Sequence, residues 1–133
     1  MGIEFLDVDK HGRILVQFYW DRKKKPSRRV RVAQIWAGNN RGALFTPRVG
    51  DEVLIAYEEG DPDRPIITGR VYNADQVVPY ALPDNGTRST FLSRSSKGGE
   101  SANFNEIRLE DKKDSEQIFI NAEKEMDLRV EKE

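Results

Sequence analysis

The sequence contains no cysteine and a single histidine. Without cysteine the chain has no disulfide framework, no thiolate metal site and no cysteine nucleophile. The longest nearly apolar run, ILVQFYW at residues 14–20, is too short to span a bilayer. The first residues lack the basic and apolar regions of a secretory signal peptide, so we expect a protein made in the cytoplasm without one.

Groups suited to catalysis or metal binding are also scarce. His11 lies in the polar stretch DKHGR, and no nucleophile or orienting carboxylate stands near it at a recognisable spacing. Asp61 and Asp63 in GDPDR favour a turn, and no third oxygen ligand follows at the spacing of a calcium loop. We therefore expect a protein that is not an enzyme, with no cofactor, no metal and no small-molecule substrate.

The net charge of −1 conceals an uneven distribution. Residues 10–50 carry eleven Lys or Arg and one acid, whereas residues 106–133 carry ten acids and six bases. A basic loop next to aromatic residues is typical of single-stranded nucleic-acid binding by OB-type barrels. Because the bases cluster in one proline-containing loop, DRKKKPSRR, we keep nucleic-acid binding only as the alternative function. We expect Trp20 and Trp36 to lie in the core of the barrel.

Most of the first half of the chain predicts β-strands. Segments rich in β-branched and aromatic residues alternate with turn clusters such as GNNRG and EGDPDRP. No segment has the apolar spacing of an amphipathic helix. The predicted strands are residues 12–20, 29–36, 51–59 and 64–72, with a short one at 2–7.

Five short antiparallel strands in about 75 residues favour a small closed barrel, because closure removes exposed sheet edges. The prediction is an OB-fold-like barrel over residues 1–75, with an SH3-like barrel as the alternative. Residues 76–105, which contain prolines and the run SRSSKGGESANFN, predict an extended connector.

The last segment, residues 106–133, alternates apolar and charged side chains along three short strands. Such alternation is typical of strands with one buried face. Because the sequence given ends there, we predict that the same face of other copies of the chain covers it. The predicted inter-chain residues are Ile107, Leu109, Ile118, Ile120, Met126, Leu128 and Val130.

Three stretches of the sequence resemble the VgrG family, the trimeric spike proteins of the bacterial type VI secretion system. They are EGDPDRPIITGRVYN at 59–73, TRSTFLSRSSKGG at 87–99 and EDKKDSEQIFINAEKEMD at 110–127. The resemblance implies an all-β chain in which an OB-fold-like barrel and an extended connector lead into the root of an intertwined trimeric β-prism or β-helix at 106–133. The family's N-terminal tube-joining region and most of its needle have no counterpart here, so we expect a fragment or a shortened relative.

The resemblance also implies a function. In this family the spike sits on a tube of ring proteins, carries a tip protein and effectors, and is driven outward by a contractile sheath. We therefore expect a structural spike component that forms a homotrimer, takes part in membrane puncture and effector delivery, and is exported by the secretion machine itself. The alternative is an OB-type single-stranded nucleic-acid-binding module with an oligomerising tail.

Overall fold

The computed structural model describes residues 6–23, 25 and 28–132, and the chain divides into two compact units, Met1–Val77 and Val78–Glu133. Within the described residues the only helical element is one 3-10 turn, Glu58–Gly60, and no helix there could cross a membrane. The all-β class expected from the sequence is thus confirmed. The strands are β1 Arg31–Val32, β2 Ala37–Gly38, β3 Arg41–Gly42, β4 Glu52–Tyr57, β5 Pro65–Val71, β6 Arg88–Arg94, β7 Phe104–Glu110 and β8 Gln117–Asn121.

The first unit is organised around the β4–β5 hairpin. These strands pair antiparallel from Glu52↔Val71 to Tyr57↔Pro65, with an irregularity between Leu54 and Ile55. On its other edge β5 pairs with β1. Isolated antiparallel bridges then join Val30, the residue before β1, to Ile14 and join Ile14 to Val8. The β1–β5 pairing is parallel, which differs from the antiparallel arrangement expected from the sequence.

The predicted strands of this unit are found to different extents. β4 and β5 lie inside the predicted segments 51–59 and 64–72. The segments 12–20 and 29–36 form only isolated bridges and the two residues of β1. Residues 2–5 of the predicted strand at 2–7 lie outside the described residues.

The core of the first unit is small. Among the described residues its buried apolar side chains are Ile14, Val16, Val30 and Ile67. The expectation that Trp20 and Trp36 belong to this core is wrong, because they are 75% and 60% exposed. Trp20 follows the paired part of its segment and stacks on Phe18 with ring centroids 5.0 Å apart, and Trp36 leads into the β2–β3 hairpin.

The second unit contains a three-stranded antiparallel meander in the order β6-β7-β8. β6 spans Arg88–Arg94 and pairs along its whole length with β7. It lies inside the segment 76–105, where the sequence predicts a connector and no strand. Serine and arginine occupy most of its positions, so its composition carries little strand signal. The division of the chain at 75/76 and 105/106 stays a prediction.

Replacing Ile67 with alanine tests the importance of the small core. Ile67 is 1% exposed, and truncating a buried isoleucine to alanine costs about 2–5 kcal/mol of unfolding free energy. Chemical denaturation followed by tryptophan fluorescence measures the change. Val77→Ala, at a position that is 69% exposed, is the control and should change the unfolding free energy by less than about 0.5 kcal/mol. Equal effects of the two substitutions would contradict this assignment of the core.

Candidate oligomerisation surface

One face of the β6-β7-β8 sheet is apolar and faces solvent in the single chain. The pairing places Phe91 beside Ile107 and Ile107 beside Ile120, and Leu109 lies beside Ile118 in the next row. All five side chains are substantially exposed, Ile118 the most, at 73%. We call these five residues the apolar face. A contiguous exposed apolar patch on a sheet marks an interaction surface.

The structure brings together four of the seven residues predicted to lie between chains. Ile107, Leu109, Ile118 and Ile120 share the apolar face. The other three follow β8 in residues 122–132, where the sequence predicts a third strand and the structure has none. This stretch pairs with no strand in the described part of the chain, and its apolar side chains are exposed: Met126, Leu128 and Val130.

Phe91 is the member of the apolar face that the sequence analysis missed. In the stretch TRSTFLSR it alternates with Ser89 and Ser93, which point to the same side of β6. A single aromatic residue between two serines gives too weak an alternation to predict a strand from sequence. Phe91 belongs to the apolar face because it pairs across the strands with Ile107.

The opposite face of the sheet is occupied by a buried polar network. The Glu106 side chain is fully buried, and its two carboxylate oxygens accept hydrogen bonds of 2.5 and 2.6 Å from the Tyr80 hydroxyl. The Arg108 guanidinium donates to the Tyr80 oxygen at 2.8 Å and to Glu106 Oε1 at 3.1 Å. A buried carboxylate is tolerated only when it is paired and hydrogen-bonded, and Tyr80 and Arg108 supply both requirements.

Aromatic rings hold Arg108 in place. Its guanidinium carbon lies 4.3 Å from the ring centroid of Phe119 on β8 and 5.6 Å from that of Tyr80. The hydrogen bond to the Tyr80 hydroxyl and the nearby Glu106 charge raise the pKa of Arg108 above its ordinary value, although desolvation acts in the opposite direction. The segment before β6 is thereby fastened onto β7, and Arg108 joins this contact to Phe119 on β8.

A second carboxylate fixes the end of β7. Glu110 accepts hydrogen bonds from the Thr87 hydroxyl, from the Lys112 backbone N–H at 2.8 Å and from Arg88 Nε at 3.0 Å. These donors, with Thr87 contributing most, lower the pKa of Glu110 from 4.5 to about 2. The carboxylate therefore joins the start of β6, the end of β7 and the turn that leads to β8.

A third carboxylate sets the direction in which the chain leaves the sheet. Glu123 accepts a hydrogen bond of 2.8 Å from Asn103 Nδ2, and its own backbone N–H donates to Asn105 Oδ1 at 2.8 Å. Both contacts join Glu123, two residues after β8, to residues on either side of the first residue of β7. Residues 124–130 therefore leave from a defined point at one end of the sheet.

The first unit contains one carboxylate held in a similar way to Glu110: Asp9 accepts hydrogen bonds from the backbone N–H groups of His11 and Arg13 at 2.9 Å each and from Arg13 Nε at 2.7 Å. Asp61 Oδ1 accepts the backbone N–H of Asp63 at 2.9 Å, which is the turn contact expected from the sequence. His11 is exposed in the turn before Gly12. In the parts of the chain that the structure describes, no group of three or more His, Asp or Glu side chains could hold a metal ion.

Each unit of the chain contains residues that match a known family model. Residues 89–133 match the bacteriophage T4 gp5 C-terminal trimerisation domain. Residues 4–72, more than half of the chain, match the type VI secretion system/phage-baseplate injector OB domain. The chain belongs to this injector OB-domain family. Its barrel is therefore of the OB type, which confirms the preferred fold over the SH3-like alternative. The trimerisation-domain match begins at the second residue of β6 and so includes all five residues of the apolar face.

Individual members of the family are similar over nearly the whole chain. The type VI secretion system spike proteins VgrG1b and VgrG1c of Pseudomonas aeruginosa are 58% and 57% identical over 128 residues, which is 93% of this chain. The spike protein VgrG3 of Vibrio cholerae serotype O1 is 44% identical over 132 residues. The chain spans only 17%, 18% and 13% of the length of these three relatives. The resemblance to VgrG proteins is confirmed, and the nucleic-acid alternative is not favoured.

Replacing Tyr80 with phenylalanine tests the buried network of this injector OB-domain protein. The change removes the hydroxyl that donates to Glu106 and accepts from Arg108, and it leaves the ring. An incompletely satisfied buried polar group costs about 1–3 kcal/mol, so we expect that loss of unfolding free energy in chemical denaturation. Tyr72→Phe, at an exposed position, is the matched control and should have little effect. The role given to Tyr80 would be refuted if both variants unfolded like the unmodified protein.

The Glu110 contacts predict a loss of stability in acid. Because folding lowers the pKa of Glu110 from 4.5 to about 2, its contribution is complete above pH 4.5 and is lost as the pH falls towards 2. Glu110→Gln should flatten the dependence of the thermal unfolding midpoint on pH in this range. Glu116→Gln, at an exposed position next to β8, is the control and should leave the slope unchanged. An unchanged slope for Glu110→Gln would show that other carboxylates dominate the acid response.

Proposed function

We propose that this chain is a structural segment of a homotrimeric type VI secretion spike and that residues 89–133 hold its three copies together. The observation that carries the proposal is the apolar face: five large apolar side chains lie on one side of a sheet whose other side is closed by its own polar network. The match of the same residues to a trimerisation domain supports it.

The cover that best fits this surface is the same surface on other copies of the chain. A rotationally symmetric assembly buries one patch repeatedly with a single sequence, and it closes without leaving an exposed copy. The stretch after β8 adds Met126, Leu128 and Val130, which alternate with charged residues and have no strand partner in the described part of their own chain. We infer that this stretch also packs between chains, with its charged side chains facing solvent.

The proposed role is mechanical. A trimer of this kind would form a rigid part of the spike, which is expected to rest on the tube-ring protein and to carry a tip protein and effectors towards a target membrane. Export by the secretion machine itself would bring it to the outside or into a target cell. We propose no catalytic step for these residues, and relatives named as spike proteins support the structural role.

Replacing both Ile118 and Ile120 with aspartate tests the trimer interface. Two carboxylates placed on the apolar face would have to be desolvated in the assembly, so we expect the trimer to dissociate. Light scattering over a concentration series should give about three times 15.3 kDa for the unmodified chain and 15.3 kDa for the variant.

The matched control is Ser96→Asp with Ser101→Asp, which adds the same charge at two exposed positions between β6 and β7. This control should remain trimeric. Circular dichroism of both variants shows whether the sheet is still folded. A folded, trimeric Ile118→Asp/Ile120→Asp variant would refute the interface, and a monomeric unmodified chain would refute trimerisation by these residues.

A further inference from the structure

The β2–β3 hairpin of the first unit forms an ordered arm, residues 35–44. Ala37 pairs with Gly42, and the Ala43 backbone N–H donates to the Trp36 carbonyl at 2.9 Å. Gly42 has a φ of +138°, and a Cβ there would lie 2.5 Å from the Trp36 oxygen, so only glycine fits this position of β3. The tight backbone indicates a defined structure that can serve as an interaction element.

Side chains from the body of the unit fix the base of the arm. Gln34 Oε1 accepts the backbone N–H of Phe45 at 2.9 Å, and the Arg70 guanidinium donates to the Phe45 carbonyl. Arg70 is paired with Val53 near one end of the β4–β5 ladder. The arm therefore leaves the unit at that end of the hairpin.

The stem of the arm is apolar and exposed. Ile35 is 79% and Leu44 is 74% exposed, and Trp36 and Phe45 beside them are also exposed. Aromatic residues are enriched at protein interfaces, and an exposed apolar cluster of this kind marks a contact surface. The sequence predicts Trp36 in the barrel core, whereas the structure places its side chain on this exposed apolar surface.

Among its described residues, the first unit carries unpaired charges of opposite sign on two separate elements. Arg41, on β3 of the arm, makes no ion pair within the described residues, and residues 22–50 contain no acid. The turn at 58–63, which joins β4 to β5, is acidic. Its Glu58 is neutralised by Arg31 and by Arg64, but the carboxylates of Glu59 and Asp63 make no ion pair with any described residue.

The two complementary surfaces lie towards opposite ends of the same β-hairpin. The acidic turn follows the Tyr57↔Pro65 pair, whereas the base of the arm is bonded to Arg70 near the Glu52↔Val71 pair. The four residue steps from Val53 to Tyr57 span about 14 Å at roughly 3.4 Å per step. A surface at one end and its complement at the other end is the arrangement that a head-to-tail contact between identical chains requires.

We propose that the arm of each protomer docks against the first unit of the next protomer, with Arg41 facing the acidic turn that contains Glu59 and Asp63. The neighbour's β4, where Leu54 is exposed, covers the apolar stem. Three such contacts close a ring, and the inference thus rests on the trimer proposed above. It adds an interface in the first unit that is separate from the apolar face of the second.

Site-specific crosslinking of the full chain tests the contact, because the sequence contains no cysteine of its own. A variant with Arg41→Cys and Asp63→Cys is treated with a short bis-maleimide reagent. We expect covalent dimers and trimers on a denaturing gel, since every protomer contributes its arm to one contact and its acidic turn to another. The two single-cysteine variants are the controls and should give no covalent trimer.

Light scattering of the same variants separates the two proposals. A trimeric mass without covalent trimers would overturn the arm contact and leave the spike trimer standing. A monomeric mass for the unmodified chain would overturn both.

Charge reversal gives an independent measurement at low ionic strength, where exposed ion pairs contribute most. Arg41→Glu alone, and Glu59→Arg with Asp63→Arg, should each raise the concentration at which the trimer dissociates several-fold. The variant with all three changes restores opposite charges and should return this concentration towards that of the unmodified chain. Losses that add up in the triple variant would overturn the contact.

Discussion

The second unit depends on keeping the Glu106 carboxylate, whose side chain is fully buried, in a stable environment. Tyr80 and Arg108 satisfy that charge, and Phe119 packs against the guanidinium. Because the three polar groups come from the segment before β6 and from β7, satisfying them brings that segment onto the sheet. The polar face is then closed within one chain. Because each strand alternates between the two faces, the apolar side chains lie exposed on the other side of the same strands.

In the first unit, too, some apolar side chains are buried within the single chain and others remain exposed. Its buried apolar core has four members among the described residues, and large apolar side chains such as Ile35, Trp36 and Leu44 remain exposed. A small domain buries a limited share of its surface and often needs further contacts for stability. Contacts between copies supply them in an oligomer, where folding and association are linked by mass action. The proposed docking of the arm against the acidic turn would be a contact of this kind in the first unit.

Alternation and turn chemistry predicted the parts of the fold that depend on local sequence. β4, β5, β7 and β8 lie where alternating residues and turn clusters indicated strands, and Ile107, Leu109, Ile118 and Ile120 share one face as their spacing requires. Trp36 was assigned to the core because an apolar residue in an alternating segment has the same pattern whether its own chain or another one buries it. Phe91 was missed because its neighbours are serines, and the partner that reveals its role, Ile107, is distant in sequence. The Tyr80–Glu106–Arg108 network joins residues from separate segments, so no local pattern could have indicated it.

The direction of strand pairing has a consequence for the order in which the chain folds. β6, β7 and β8 pair only with their neighbours in sequence, so this sheet can form by successive hairpins. β1 instead pairs in parallel with β5, and the partners Arg31 and Ile66 lie 35 positions apart in the sequence. Local contacts form faster than distant ones because less chain entropy is lost before they become favourable. The sheet that carries the apolar face is therefore expected to be complete, and ready to meet other chains, before the barrel that precedes it has closed.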